Sequence, residues 1–267
     1  MFEEFYAPLP EPARFLKRMG LVDVTTPDLE TLNRLIHAHN MNVPFENLSV
    51  YDADTGAALD IASLYDKIVV RRRGGYCFEL NALFMSLLQS LGYDCYPVMV
   101  RVVWMAKEYR PITHRAGIVT IGGVRYFVDV GFGGPSPRTA VRLDDPNPQT
   151  SGPNDFVFDK APDGDFIIYR LTGEGREQLL KFSDRYCENV DFLAPNEYQS
   201  RNENSGFKKM RMVNISRENG SAAINGNVLR IHKDGAVEEA VLDTEDKLRQ
   251  ALKEHFGIVV DFPLKIV

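Results

Sequence analysis

The sequence predicts an α+β fold, and three observations carry that expectation. Up to about residue 92, apolar residues recur at helical spacing; from Asp94 the pattern changes to short alternating or β-branched runs; beyond Pro195 strand-like and helical stretches mix. The boundaries read from these changes are 1–92, 93–194 and 195–267. Length agrees, because 267 residues exceed the roughly 150 of an average domain. A chain of this size buries about three quarters of its unfolded surface and needs no disulfide or metal staple.

In the first part, Thr26-Pro27 reads as a helix start, with Thr26 as N-cap and Pro27 at the first helical position. Leu29, Leu32, Leu35 and Ile36 then share one face. Asp60 opens a second segment, in which Ile61, Leu64, Tyr65 and Ile68 repeat the spacing. A third begins just after Gly74-Gly75, carries Leu80, Leu83, Phe84, Leu87, Leu88 and Leu91, and closes at Gly92 as a left-handed residue. Strands are expected over 98–104, 117–121, 124–130, 156–158 and 166–171, separated by Gly122-Gly123, by 144–148 and by Pro162-Asp163-Gly164, all turn chemistry. Further strands are expected around 210–215 and 228–232. A final helix from about Thr244 buries Leu248, Ala251, Leu252 and Phe256 and stops at Gly257.

Composition excludes several functions. A net charge of −6 is the wrong sign for a protein that coats nucleic acid or an anionic membrane. No uncharged run approaches the about 20 apolar residues of a spanning helix, and Glu3 and Glu4 stand where a signal peptide carries basic residues. Three scattered cysteines do not form a secreted disulfide framework, so a reducing cytoplasm is expected, with one thiol free for chemistry. No metal site is expected, since His37 and His39 lie two apart on a predicted helix and point to different faces. Gly131-Phe132-Gly133-Gly134-Pro135 is no dinucleotide loop, because Ser136 occupies the third glycine position and prolines follow.

The most informative stretch is Arg73-Gly74-Gly75-Tyr76-Cys77-Phe78-Glu79-Leu80-Asn81. Two glycines allow close backbone approach, and Cys77 falls in the first turn of the next helix. There, free N–H groups and the positive end of the helix dipole favour a thiolate. A bland reading, an inert cysteine packed at a helix start, competes until the second segment is considered. Gly122-Gly123 marks a two-residue hairpin. Its register pairs Ile121 with Val124 and puts His114 and Asp129 on one face as diagonal neighbours within hydrogen-bonding reach. A carboxylate on one imidazole nitrogen fixes the tautomer and leaves the other to exchange a proton with a thiol. Cys77, His114 and Asp129 together therefore point to nucleophilic catalysis, while Cys95 and Cys187 are expected to pack.

These residues resemble the arylamine N-acetyltransferases. The resemblance rests on Arg73 to Cys77, on His114 at a strand start, on Val128-Asp129-Val130-Gly131-Phe132-Gly133, on Val43-Pro44-Phe45-Glu46-Asn47-Leu48, and on Ser205-Gly206-Phe207. It implies a helical bundle, a central antiparallel β-barrel and a C-terminal α/β lid, with the triad between the first two. It also implies ping-pong transfer of an acetyl group from acetyl-CoA through Cys77 to an arylamine, arylhydrazine or N-hydroxyarylamine. Phe45, Phe132 and Phe207 are implied as substrate contacts and Ser205 as a donor-side contact, although Glu203 stands where the family often has proline. Arg71, Arg72 and Arg73 are candidates either for CoA phosphates or for complementing a helix dipole. The rival readings are a thiol hydrolase or transglutaminase-like enzyme using the same triad, and an amide synthase within the family.

Overall fold

The computed structural model describes residues 2–22, 24, 26–108 and 110–266. Helices Pro12–Arg18, Leu29–Asn42, Leu48–Tyr51, Ile61–Tyr65 and Cys77–Ser90 form the N-terminal part. The second starts later than Thr26. Its N-cap is Asp28, whose carboxylate accepts the Thr31 N–H at 2.8 Å, so Pro27 lies just outside the helix. Asp60 caps as expected by accepting from Ser63 N, and the helix it opens runs on as a wide π-turn over Asp66–Val70. Gly92 and Gly257 both take the left-handed conformation that ends a helix.

Antiparallel strands follow from Asp94. They form one eight-stranded sheet in which Val141–Arg142, Val124–Val128, His114–Ile121, Asp94–Val102, Gly175–Phe182, Phe166–Thr172, Asn154–Lys160 and Gln149–Ser151 are successive neighbours. The sheet curls into a nearly closed barrel around Val98, Val100, Ile118, Phe127, Phe156 and Phe182. The Gly122-Gly123 hairpin has the expected register, with Ile121 opposite Val124 and Gly117 opposite Val128. Three strands of this sheet lie outside the expected runs. Val141–Arg142 and Gln149–Ser151 are too short to show a period, and Gly175–Phe182 begins with the charged Arg176 and Glu177.

The C-terminal part holds a second sheet, but its first strand comes from the N-terminal part: Phe45–Glu46 pairs with Met212–Arg217, which is followed by Gly220–Asn225, Val228–Lys233 and Ala236–Val241. Helix Glu245–Phe256, capped by Thr244, packs Leu248, Ala251, Leu252 and Phe256 on that sheet. No helix among the described residues is long and apolar enough to cross a membrane.

A fully buried ion pair joins the chain's ends. Arg211 donates from Nε and Nη2 to the two Asp52 oxygens at 3.0 and 2.6 Å, and its Nη1 donates to Gly226 O and Asn227 Oδ1. Asp52 also accepts from Lys265 N. Removing one member of so complete a pair strands the other charge. Asp52→Ala is therefore expected to cost about 3–5 kcal/mol, read as a lower urea midpoint. The double variant Asp52→Leu/Arg211→Met should lose less than the sum of its singles.

Candidate active site

Cys77 is the first residue of its helix, after Tyr76 in extended conformation. A buried network sets this start. Glu79 folds back so that Oε2 accepts the Tyr76 N–H at 3.1 Å, while Oε1 accepts from Lys67 Nζ at 2.7 Å. Beside it Arg73 donates to both oxygens of Glu46, whose Oε2 also accepts the Leu48 N–H. Burial disfavours the Glu46 carboxylate, but Lys67 and Arg73 outweigh it and hold Glu46 below the usual carboxylate range. Burial, with Glu46 nearby, instead raises Glu79. Arg73 is thus committed to Glu46, and Arg71 pairs at the surface with Asp261.

His114 starts its strand and is 2% exposed. Its Nε2 lies 2.6 Å from Asp129 Oδ2, and Cys77 is in hydrogen-bonding contact with the ring. With Nε2 taken by the carboxylate, Nδ1 is the nitrogen left for the thiol, whose Sγ also lies 3.7 Å from Thr113 O. Burial alone would discharge the ring, but Asp129 and Cys77 overcome it and push His114 up to about 10. The diagonal placement expected from the hairpin brings His114 and Asp129 together, and the helix start adds Cys77.

Sequence reasoning missed the group that holds this arrangement. Asn81 stands one helical turn after Cys77 on the same face. Its Nδ2 donates to Asp129 Oδ1 at 2.9 Å and to Arg115 O at 2.6 Å, and its Oδ1 accepts the Val130 N–H. Asp129 Oδ1 also accepts from Gly131 N. The i, i+4 spacing from the cysteine was the available signal. Also missed was Tyr76, whose hydroxyl hydrogen-bonds to Asn196 Oδ1 at 2.5 Å and ties the cysteine's neighbour to helix Leu193–Arg201.

Cys77 and His114 open onto a cavity of about 770 Å³, lined also by Phe45, Phe132, Phe207, Trp104 and Ser205. Phe132 sets its ring edge-on to His114 and to Trp104, and Phe45 does the same to Phe207. The Ser205 hydroxyl is buried, donates to Gln199 O at 2.7 Å and accepts the Phe207 N–H, so it shapes the loop that presents Phe207. Cys95 and Cys187 are free thiols elsewhere, and burial raises both. His37 meets Glu218, whereas His39 is buried against Phe15 and Phe84.

The chain matches a class of acyl-transferring enzymes: the N-acetyltransferase family model covers residues 28–265. Among curated relatives, an arylamine N-acetyltransferase of Mycolicibacterium smegmatis is 32% identical over 249 residues, spanning 91% of this chain and 90% of its own. An arylamine N-acetyltransferase / N-hydroxyarylamine O-acetyltransferase of Salmonella typhimurium is 29% identical over 92% and 88%. The solved Mycobacterium marinum arylamine N-acetyltransferase in complex with CoA superposes with a TM-score of 0.85 at 30% identity, over 93% of both chains. The chain belongs to the arylamine N-acetyltransferase family and is an acyltransferase.

A β-carbon on Gly131 would come within 2.8 Å of both Cys77 Cα and Asn81 Nδ2. Misplacing reacting groups by about 1 Å costs on the order of a hundredfold. Gly131→Ala should therefore lower kcat/KM for acetyl transfer by about two orders of magnitude, with far-ultraviolet circular dichroism unchanged.

Proposed function

We propose that this protein transfers an acetyl group from acetyl-CoA to arylamines, arylhydrazines or N-hydroxyarylamines through a thioester on Cys77, with His114 and Asp129 completing the triad. The observation that carries the reading is one imidazole placed between a helix-start thiol and a buried carboxylate, at the wall of an aromatic-lined cavity.

In the first half-reaction the Cys77 thiolate attacks the thioester carbonyl, and the tetrahedral oxyanion meets the Cys77 backbone N–H, unused within the helix. As the intermediate collapses, the carbon–sulfur bond to CoA breaks and His114 gives its proton to the departing thiolate. Exchanging one thioester for another leaves this step near balance. Acylation also removes the thiolate charge, one of the two influences that raise His114. The ring, having given up its proton, is then neutral, with a free nitrogen lone pair that can take a proton from the attacking amine. Collapse of the second intermediate breaks the Cys77 thioester and releases the amide.

Phe45, Phe132 and Phe207 bury the flat acceptor and offer edge contacts to its ring. Ser205 contributes by holding the loop of Phe207. Residues 195–267 act as the lid over this cavity, set on the bundle of 1–92 and the barrel of 93–194, and a reducing cytoplasm keeps Cys77 free. The family membership weighs against the hydrolase reading, and an amide synthase would not release CoA with simple arylamines.

Intact mass after incubation with acetyl-CoA should show one acetyl adduct, located on Cys77 by peptide mapping and missing from Cys77→Ser; an unmodified wild-type Cys77 overturns the proposal. Asp129→Asn should lower kcat by roughly a thousandfold or more at unchanged fold. The pH profile follows from His114: its proton is held below about 10 and lost above it. Single-turnover acetylation should thus stay level through neutral pH and fall as pH passes about 10.

A further inference from the structure

Successive side chains of a strand point to opposite faces, so Arg115, next to His114, turns away from the catalytic cavity. It is 2% exposed. Its Nη2 donates to Asn189 Oδ1 at 2.6 Å, and the guanidinium lies 4.5 Å over the Phe192 ring. Its Nε is buried with no hydrogen-bond partner, and among the described residues no carboxylate pairs with it. Burial lowers Arg115 to about 9, with Cys187, Cys77 and Tyr6 only partly opposing, so the cation persists at neutral pH. An unpaired buried charge is costly, and a neutral amide does not cancel it.

Arg115 lines a cavity of about 100 Å³ whose other walls mix the apolar Phe5, Leu59, Ile61, Met85 and Pro97 with the polar Ser86, Gln89 and Asn189, and include no acidic residue. That is the room of about three water molecules at roughly 30 Å³ each. Apolar walls with a few polar groups and one cation are the pattern of a small-ligand site, and a carboxylate matches the fork of a guanidinium. We propose that this cavity binds a short aliphatic carboxylate, acetate or propionate in size, with its oxygens on Arg115 and its alkyl stub against the apolar walls. The site is coupled to the triad's support: Arg115 O accepts from Asn81 Nδ2, the same amide that donates to Asp129.

Saturation-transfer NMR with sodium propionate in a chloride-free neutral buffer tests this without reference to turnover. Wild-type protein should give a saturable propionate signal, equally strong after alkylation of Cys77. Arg115→Met should reduce it at least tenfold. Ser86→Leu, which crowds the same cavity and leaves the guanidinium in place, should do likewise and decides the matter if the arginine variant fails to fold. A signal retained in either folded variant overturns the site. So does a signal lost on alkylating Cys77, which would place propionate in the catalytic cavity instead.

Discussion

Four charged groups beneath the start of the cysteine helix, three buried and Lys67 partly so, constrain everything around them. Glu46, Arg73, Lys67 and Glu79 offset their desolvation only if each hydrogen bond is kept, because attraction between buried ions repays the cost only in good geometry. The network therefore locks three pieces of backbone at once: the Phe45–Glu46 strand, the π-turn that carries Lys67, and the glycine pair before Cys77. Gly74 and Gly75 are needed there, since a β-carbon on either would collide with Pro44 or Glu79. Phe45, a wall of the cavity, and Cys77, its candidate nucleophile, are positioned by one electrostatic cluster.

Much of this was legible in the sequence, and what was not has a physical cause. The hairpin register followed from two glycines and parity, so the His114–Asp129 contact was foreseeable across a separation of 15 positions. The start of the final helix was foreseeable too, because Thr244 and Gly257 cap it locally. Thr26 misled because a serine-like cap before proline is a good signal, yet Asp28 two residues on is a stronger acceptor and won. The Phe45–Glu46 strand was hidden because two residues have no period and their partner, Met212–Arg217, is far along the chain. Asn81 was overlooked for a related reason: its role depends on Asp129 and Arg115, which only tertiary structure brings to it.

In the mechanism we propose, the same imidazole serves opposite proton transfers because the charge of its neighbour changes during the reaction. Asp129 is held by Asn81 and by the Gly131 N–H, whereas the proposed chemistry takes the sulfur from anion to neutral thioester. On this view no conformational change is needed to convert acid into base. The Tyr76–Asn196 hydrogen bond extends the rigid surround to helix Leu193–Arg201, so the cavity's far wall is referenced to the residue beside the nucleophile.

The strand exchange between the chain's two ends also sets an order in time. Phe45 and Glu46 leave the ribosome early, but their partners Asn214 and Val213 follow about 170 residues later. At 5–20 residues per second, that is a wait on the order of ten seconds or more. During it the barrel can close, since all its strands lie between the two. The thiol-bearing helix is therefore synthesised, and can be packed, well before the sheet that completes its cavity exists. A nascent chain paused before residue 212 would carry the reacting groups with one edge of their enclosure still unpaired.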